Sequence, residues 1–160
     1  MQFNLVDRIV EVTPGQKLRG YKNLTLAEEY LADHFPTFPV MPGVLMLHTL
    51  VEAAAWLLRL SEDFRHSIIV LREAKNVKYG TFMQPGNQMS FEVELAGQDG
   101  TTATFKGKGE TGGASTVTAR FTLDRYNLRD RHPALESIDQ RLVETLRERA
   151  VLLMGPSARA

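Results

Sequence analysis

The stretch His34-Phe35-Pro36-Thr37-Phe38-Pro39-Val40-Met41-Pro42-Gly43-Val44-Leu45 gathers the residues best placed for chemistry in the 160-residue chain. Prolines at 36, 39 and 42 stiffen it, because a residue that precedes proline is pushed from helical toward extended angles. His34 therefore stands on a rigid loop, and imidazole is the side chain that gives or takes a proton near neutral pH. Pro42 suits the first turn of a helix, where its missing N–H costs nothing, and neither proline nor glycine recurs between Val44 and Leu60. The first N–H groups of such a helix lack internal partners and lie at its positive end. A carbonyl oxygen placed there is polarised, which stabilises an enolate developing behind it, and a neighbouring histidine can then move a proton.

Two further residues lie on the same predicted helix. His48 interrupts an otherwise apolar surface, and Glu52, four residues on, shares its helix face and can orient or charge it. The structural alternatives are a satisfied core or interface histidine at 48 and an ordinary helix carboxylate at 52. His34 alone also has such an alternative, a loop histidine bonded to its own backbone, but the surrounding string favours the chemical reading. The four histidines, 34, 48, 66 and 132, have no close ligand spacing, so no metal site is expected.

Stepping outward, the length fits one domain and 43% hydrophobic residues can build a core without a disulfide or structural metal. The absence of cysteine excludes thiolate ligands and a thiol nucleophile, and fits a reducing compartment. Lys plus Arg and Asp plus Glu balance at 19 each, which argues against nucleic acid as partner. The first residues lack the apolar run of a signal peptide, and the longest apolar stretch, Val40 to Val51, is too short for a membrane span, so a cytoplasmic protein is expected.

Residues 3–12 read as a short helical or irregular start that runs into a strand, and Thr13-Pro14-Gly15-Gln16 turns it into a returning strand over 17–25. A helix apolar nearly all round follows from Gly43 to Leu60, and should be wrapped by other structure. Strands are predicted over 68–79, 88–95, 102–110 and 115–124, with alternation clearest at Met89, Phe91, Val93 and Leu95. Short turns between them imply an antiparallel sheet. Residues 125–132 read as a charged linker, and an amphipathic helix then starts at Pro133 and stops at Gly155-Pro156.

The string HFPxxPVMPGVL resembles the signature of the β-hydroxyacyl-(acyl-carrier-protein) dehydratases, the FabA/FabZ-like group with the hot-dog fold. Leu5-Val6-Asp7-Arg8-Ile9 with Pro14-Gly15, and Pro85-Gly86-Asn87-Gln88 with Phe91-Glu92-Val93, extend the likeness over about residues 3–124. The resemblance implies an α+β hot-dog domain over 1–124, an antiparallel sheet around a long central helix, with a linker and amphipathic helix over 125–160 beyond it. That last helix can cover a tunnel mouth, pack on the sheet or mediate assembly.

Residue by residue, His34 matches the family's catalytic histidine, which takes the proton α to a thioester, and Gly43, with Val44, matches the helix start that binds the thioester carbonyl. The family's acidic residue falls at His48, a departure, and Glu52 is not at that position. Dehydration needs both a base and an acid, each contributing roughly 10²–10⁴-fold. A histidine can fill the second role only if its bulkier ring reaches the leaving hydroxyl. Phe35 and Phe38, with Tyr79 and Phe82, can line an acyl tunnel or simply pack a core. Arg72, Lys75, Lys78, Lys106, Lys108, Arg120 and Arg125 can contact an acidic carrier or form a solvated face.

The resemblance further implies a homodimer or trimer of dimers, with His34 of one chain facing the central helix of the other. No soluble cofactor is implied, since the substrate rides on the phosphopantetheine of acyl-carrier protein. The leading expectation is a 3-hydroxyacyl thioester dehydratase yielding a trans-2-enoyl thioester. The alternatives are a non-catalytic acyl- or partner-binding hot-dog domain and an acyl thioesterase.

Overall fold

Alternating apolar and polar residues place six strands on one sheet in the computed structural model, which describes residues 3–156. Residues 1–2 and 157–160, the outer ends of the expected 1–124 and 125–160 segments, lie outside the described part. The strands are β1 (Arg8–Thr13), β2 (Lys17–Asn23), β3 (Ile68–Tyr79), β4 (Gln88–Asp99), β5 (Thr102–Thr111) and β6 (Ala114–Tyr126). Two long helices, α1 (Gly43–Ser61) and α2 (Glu136–Met154), complete the chain with short 3₁₀ turns at Glu29–Ala32, Leu128–Asp130 and Pro133–Leu135.

The sheet order is β1-β2-β4-β5-β6-β3, and every neighbouring pair is antiparallel. Local turn chemistry makes the hairpins. Gly112 and Gly113 both take positive φ, +55° and +81°, as a tight turn between β5 and β6 demands. Phe91, Val93, Phe105, Phe121 and Leu123 point inward, and α1 lies against them with Leu50, Ala53, Ala54, Trp56 and Leu57 buried. Small residues let helix and sheet approach closely: a side chain at Gly107 would meet Leu50 Cδ1 at 3.0 Å. This is the hot-dog arrangement that the resemblance implies. The apolarity of α1 is that of a core helix, long and apolar enough to cross a membrane but enclosed by the sheet.

Several expected boundaries move. The start of the chain is irregular up to β1, which settles the helical alternative against. β2 stops two residues before the expected 25, and β4 runs to Asp99 instead of 95, because a bulge between Leu95 and Gly97 shifts the register without ending the pairing. α2 begins at Glu136, since Pro133–Leu135 form a 3₁₀ turn ahead of it.

The segment 125–132, expected as a charged linker, begins inside the sheet and then runs through a short 3₁₀ turn at Leu128–Asp130. Arg125 and Tyr126 belong to β6, and Arg125, 7% exposed, is held by Glu62 Oε1 at 2.5 Å and Gln98 Oε1 at 2.7 Å. A charged residue read as solvated is thus buried with its partners. Asp139 of α2, also buried, accepts hydrogen bonds from the Ser67 hydroxyl and from the N–H groups of Leu128 and Arg129. Arg147 reaches Asp63 at 2.7 Å and lies over the Phe64 ring, while Ala150 and Leu153 enter the common core. α2 therefore packs back against the turn after α1 and against β1.

Candidate active site

The loop before α1 closes on itself around His34. Its N–H donates to Tyr30 O at 3.1 Å and its carbonyl accepts from Val40 N–H at 3.0 Å. The Nδ1 atom lies 2.9 Å from Val40 O. A carbonyl oxygen only accepts, so Nδ1 carries the hydrogen and a neutral ring keeps its lone pair on Nε2. Phe35 and Phe38 exchange backbone hydrogen bonds at 3.3 and 3.0 Å, and Met41 N–H donates to Met83 O at 2.8 Å, which ties the loop to the chain after β3. The Phe35 ring stacks on the imidazole with centroids 4.2 Å apart. His34 is thus a half-buried base whose ring orientation and tautomer are set by its own loop.

At the adjoining helix start, Pro42 O accepts from Leu45 and Met46 N–H at 2.9 and 3.2 Å. Gly43 and Val44 are the two helical residues ahead of these, and among the described residues their N–H groups find no backbone acceptor. They remain as donors at the positive helix end. The Tyr79 ring crosses this point so closely that a Cβ at Gly43 would meet it at 3.0 Å. Glycine here is a packing requirement of the site.

Along α1, Val44, His48 and Glu52 follow at successive turns. Val44 is 67% exposed, and His48 is exposed beside it. Glu52 is committed elsewhere: Oε2 accepts from Leu5 N–H at 2.7 Å and Oε1 lies 3.5 Å from Trp56 Nε1. No hydrogen bond joins it to His48 among the described residues, so the expected tuning of His48 by Glu52 is not what this geometry provides. The reason is that Leu5 is buried and its N–H must find an acceptor. Burial lowers Arg59 to about 10, against the opposing charge of Glu52, so this carboxylate also faces a cation toward the far end of the helix.

Phe38 and Phe82 meet edge to face at 5.9 Å, and Phe82 is 62% exposed. Phe35, Tyr79 and Val44 are exposed as well, so the aromatic residues near His34 present apolar surface in the single chain. Tyr79 was legible only as one aromatic among several, because the contact with Gly43 comes from a strand 36 positions away by residue number, 79 minus 43. A group of three or more histidine and carboxylate ligands able to hold a metal does not occur among the described residues.

The chain matches the model of the FabA-like domain over residues 1–120. The chain belongs to the FabA/FabZ-like family. It is 39% identical over 105 residues to the 3-hydroxyacyl-[acyl-carrier-protein] dehydratase FabZ of Bacillus subtilis, across 66% of this chain and 74% of that one. It is 38% identical over 121 residues to the FabZ of Myxococcus xanthus, across 74% and 79% of the two chains. Among solved structures, this FabA/FabZ-like chain superposes on a chain of the dehydratase heterocomplex ApeI:P from Xenorhabdus doucetiae. The TM-score is 0.66 at 14% identity, over 83% and 90% of the chains. A hypothetical thioesterase from Streptococcus pneumoniae with coenzyme A gives 0.54 at 15% identity, over 74% and 84%. At such identities these two share the fold. α2 lies beyond the residues that match the FabA-like model.

Proposed function

We propose that the protein removes water from a 3-hydroxyacyl thioester carried by acyl-carrier protein, giving the trans-2-enoyl thioester. The observation that carries this reading is the bond from His34 Nδ1–H to Val40 O, which leaves Nε2 as a fixed base next to unpartnered helix N–H groups. Nε2 takes the proton α to the thioester carbonyl, and the N–H groups of Gly43 and Val44 hold the oxygen as negative charge develops. The electron pair released at Cα forms the double bond to Cβ as the Cβ–O bond breaks. The hydroxyl leaves as water with a proton from His48, and the cycle closes when His34 returns its proton to His48 through solvent.

We place His34 of one subunit against α1 of a second copy in a homodimer. Support comes from the exposed apolar residues Phe35, Phe38, Val44, Tyr79 and Phe82, and from β3 standing at the edge of the sheet. Trimers of dimers remain compatible with this contact. Glu52 is assigned the support of the N-terminal segment, and Phe35 and Phe38 the wall of the acyl path. The reaction as drawn involves no soluble cofactor and no metal, and the family relationship favours a cytoplasmic setting.

A second reading, an acyl- or partner-binding domain without turnover, is favoured by one observation: Glu52, the carboxylate one turn from His48 on α1, is engaged by the Leu5 N–H. Absorbance at the enoyl thioester band, followed in both directions with carrier-linked substrate, decides between them. The dehydratase reading expects turnover that falls about 10²-fold or more in His34→Ala. Turnover indifferent to His34 contradicts it, and hydrolysis of the thioester in place of dehydration would point to a thioesterase.

A further inference from the structure

Lys22 breaks the pattern of its own strand. Along β2 the inward positions fall at Leu18, Gly20 and Lys22, and the lysine is only 3% exposed. A buried ammonium group needs partners in place of water. Nζ of Lys22 lies 2.5 Å from Glu28 Oε1 and 3.6 Å from Asp7 Oδ2, and it donates to Asn23 O at 2.7 Å. Asp7 Oδ2 in turn accepts from Asn23 N–H at 2.6 Å. One buried lysine thus fastens three stretches of chain: the residue ahead of β1, the end of β2, and the residue that opens the 3₁₀ turn Glu29–Ala32.

That turn leads into the His34 loop. Leu31 N–H donates to Glu28 O at 3.1 Å and His34 N–H to Tyr30 O at 3.1 Å, so Glu28 and His34 stand at the two ends of one hydrogen-bonded run. Among the described residues, the bond between Lys22 and Glu28 is the one side-chain hydrogen bond that ties residues 25–33 to the sheet. Leu31 adds a buried apolar anchor, but apolar burial is non-directional and does not fix how the turn is rotated. A short charged bond from a strand does.

We propose that Lys22, Glu28 and Asp7 are positioning residues for His34, holding the start of the 3₁₀ turn and through it the point from which the imidazole takes its proton. The catalytic consequence rests on the dehydratase reading. Desolvation offsets most of the attraction in a buried ion pair, so replacing both members by neutral groups of similar size costs little stability, whereas removing one strands the other. What the pair supplies is a defined geometry, and a base displaced by about 1 Å can lose about 10²-fold in rate. A strut and a mere stabiliser therefore part company in the double variant Lys22→Met, Glu28→Gln, which leaves no stranded ammonium and an Asp7 open to water.

The test reads steady-state kinetics with a 3-hydroxyacyl pantetheine thioester together with amide hydrogen exchange. In the double variant kcat should fall at least about tenfold with KM within about twofold of native, and the His34 and Leu31 N–H groups should exchange at least about tenfold faster. Phe105 N–H, on the inner strand β5, should keep its native rate. Asp63→Asn, which breaks the Asp63–Arg147 pair beyond the other end of α1, should leave both kcat and the exchange at His34 in place. Native kcat in the folded double variant, or native exchange at His34, overturns the positioning role and leaves Lys22 and Glu28 as structural residues. If the double variant does not fold, Glu28→Gln alone, in which Lys22 keeps Asp7 and Asn23 O, carries the same readings. If the native protein turns over no substrate, the dehydratase reading fails on its own, and exchange at His34 still decides the strut: faster exchange in the variant supports it, and an unchanged rate refutes it.

Discussion

At the residue scale two histidines stand in different settings. His34 is locked by Val40 O, whereas His48 stands free on an exposed helix face. If His48 delivers the second proton, His48→Ala should lower kcat by about 10²-fold with KM nearly unchanged, and His48→Glu should retain or raise dehydration. Steady-state kinetics on the pantetheine substrate checks both, and an unimpaired His48→Ala removes His48 from the mechanism. The position of His34 was legible because three prolines and a glycine constrain that loop whatever surrounds it. The employment of Glu52 was not: its partner, the Leu5 N–H, is 47 residues away, and helix periodicity shows only the neighbour four residues off.

At the element scale the periodic segments were the readable ones. α1 is identified by its apolar surface and Pro-Gly start, and β4 to β6 by alternation and their turn residues. Boundaries failed where a tertiary contact overrode a local signal. The charge of Arg125 suggested a linker, but Glu62 and Gln98 draw it into the end of β6. The bulge that prolongs β4 has no mark in the sequence beyond an ordinary alanine and glycine. α2 depends on Asp139. Burial opposes its ionisation, but the bonds from the Ser67 hydroxyl and from Arg129 and Leu128 N–H outweigh this and hold it below its ordinary value of 3.8. A carboxyl depressed in the folded state contributes stability that is complete above its ordinary value and is lost as pH falls through the lower, folded one. Asp139→Ala should therefore cost about 2 kcal/mol near neutrality, by stranding three donors. Thermal melts of both proteins should converge as pH drops from about 5 to below 3.8. A gap that persists in acid would mean that the side chain's packing, and not its charge, anchors α2.

At the scale of the whole molecule, the proposed homodimer has each site built from both chains, across the exposed apolar residues near His34 and the β3 edge. Here the sequence supplied the family and hence the expectation, while the surface itself emerges only once strands distant in the chain lie side by side. A shared site makes two defective chains able to repair one another. His34→Ala and His48→Ala proteins, unfolded together and refolded at equal amounts, should form mixed dimers holding one intact site, the base from one chain and the acid from the other. Random pairing returns about a quarter of the native dehydration rate, although each variant alone is nearly inactive. Dehydration by the mixture that stays at the level of the separate variants, with mixed dimers verified by mass, would contradict a base and an acid contributed across the interface.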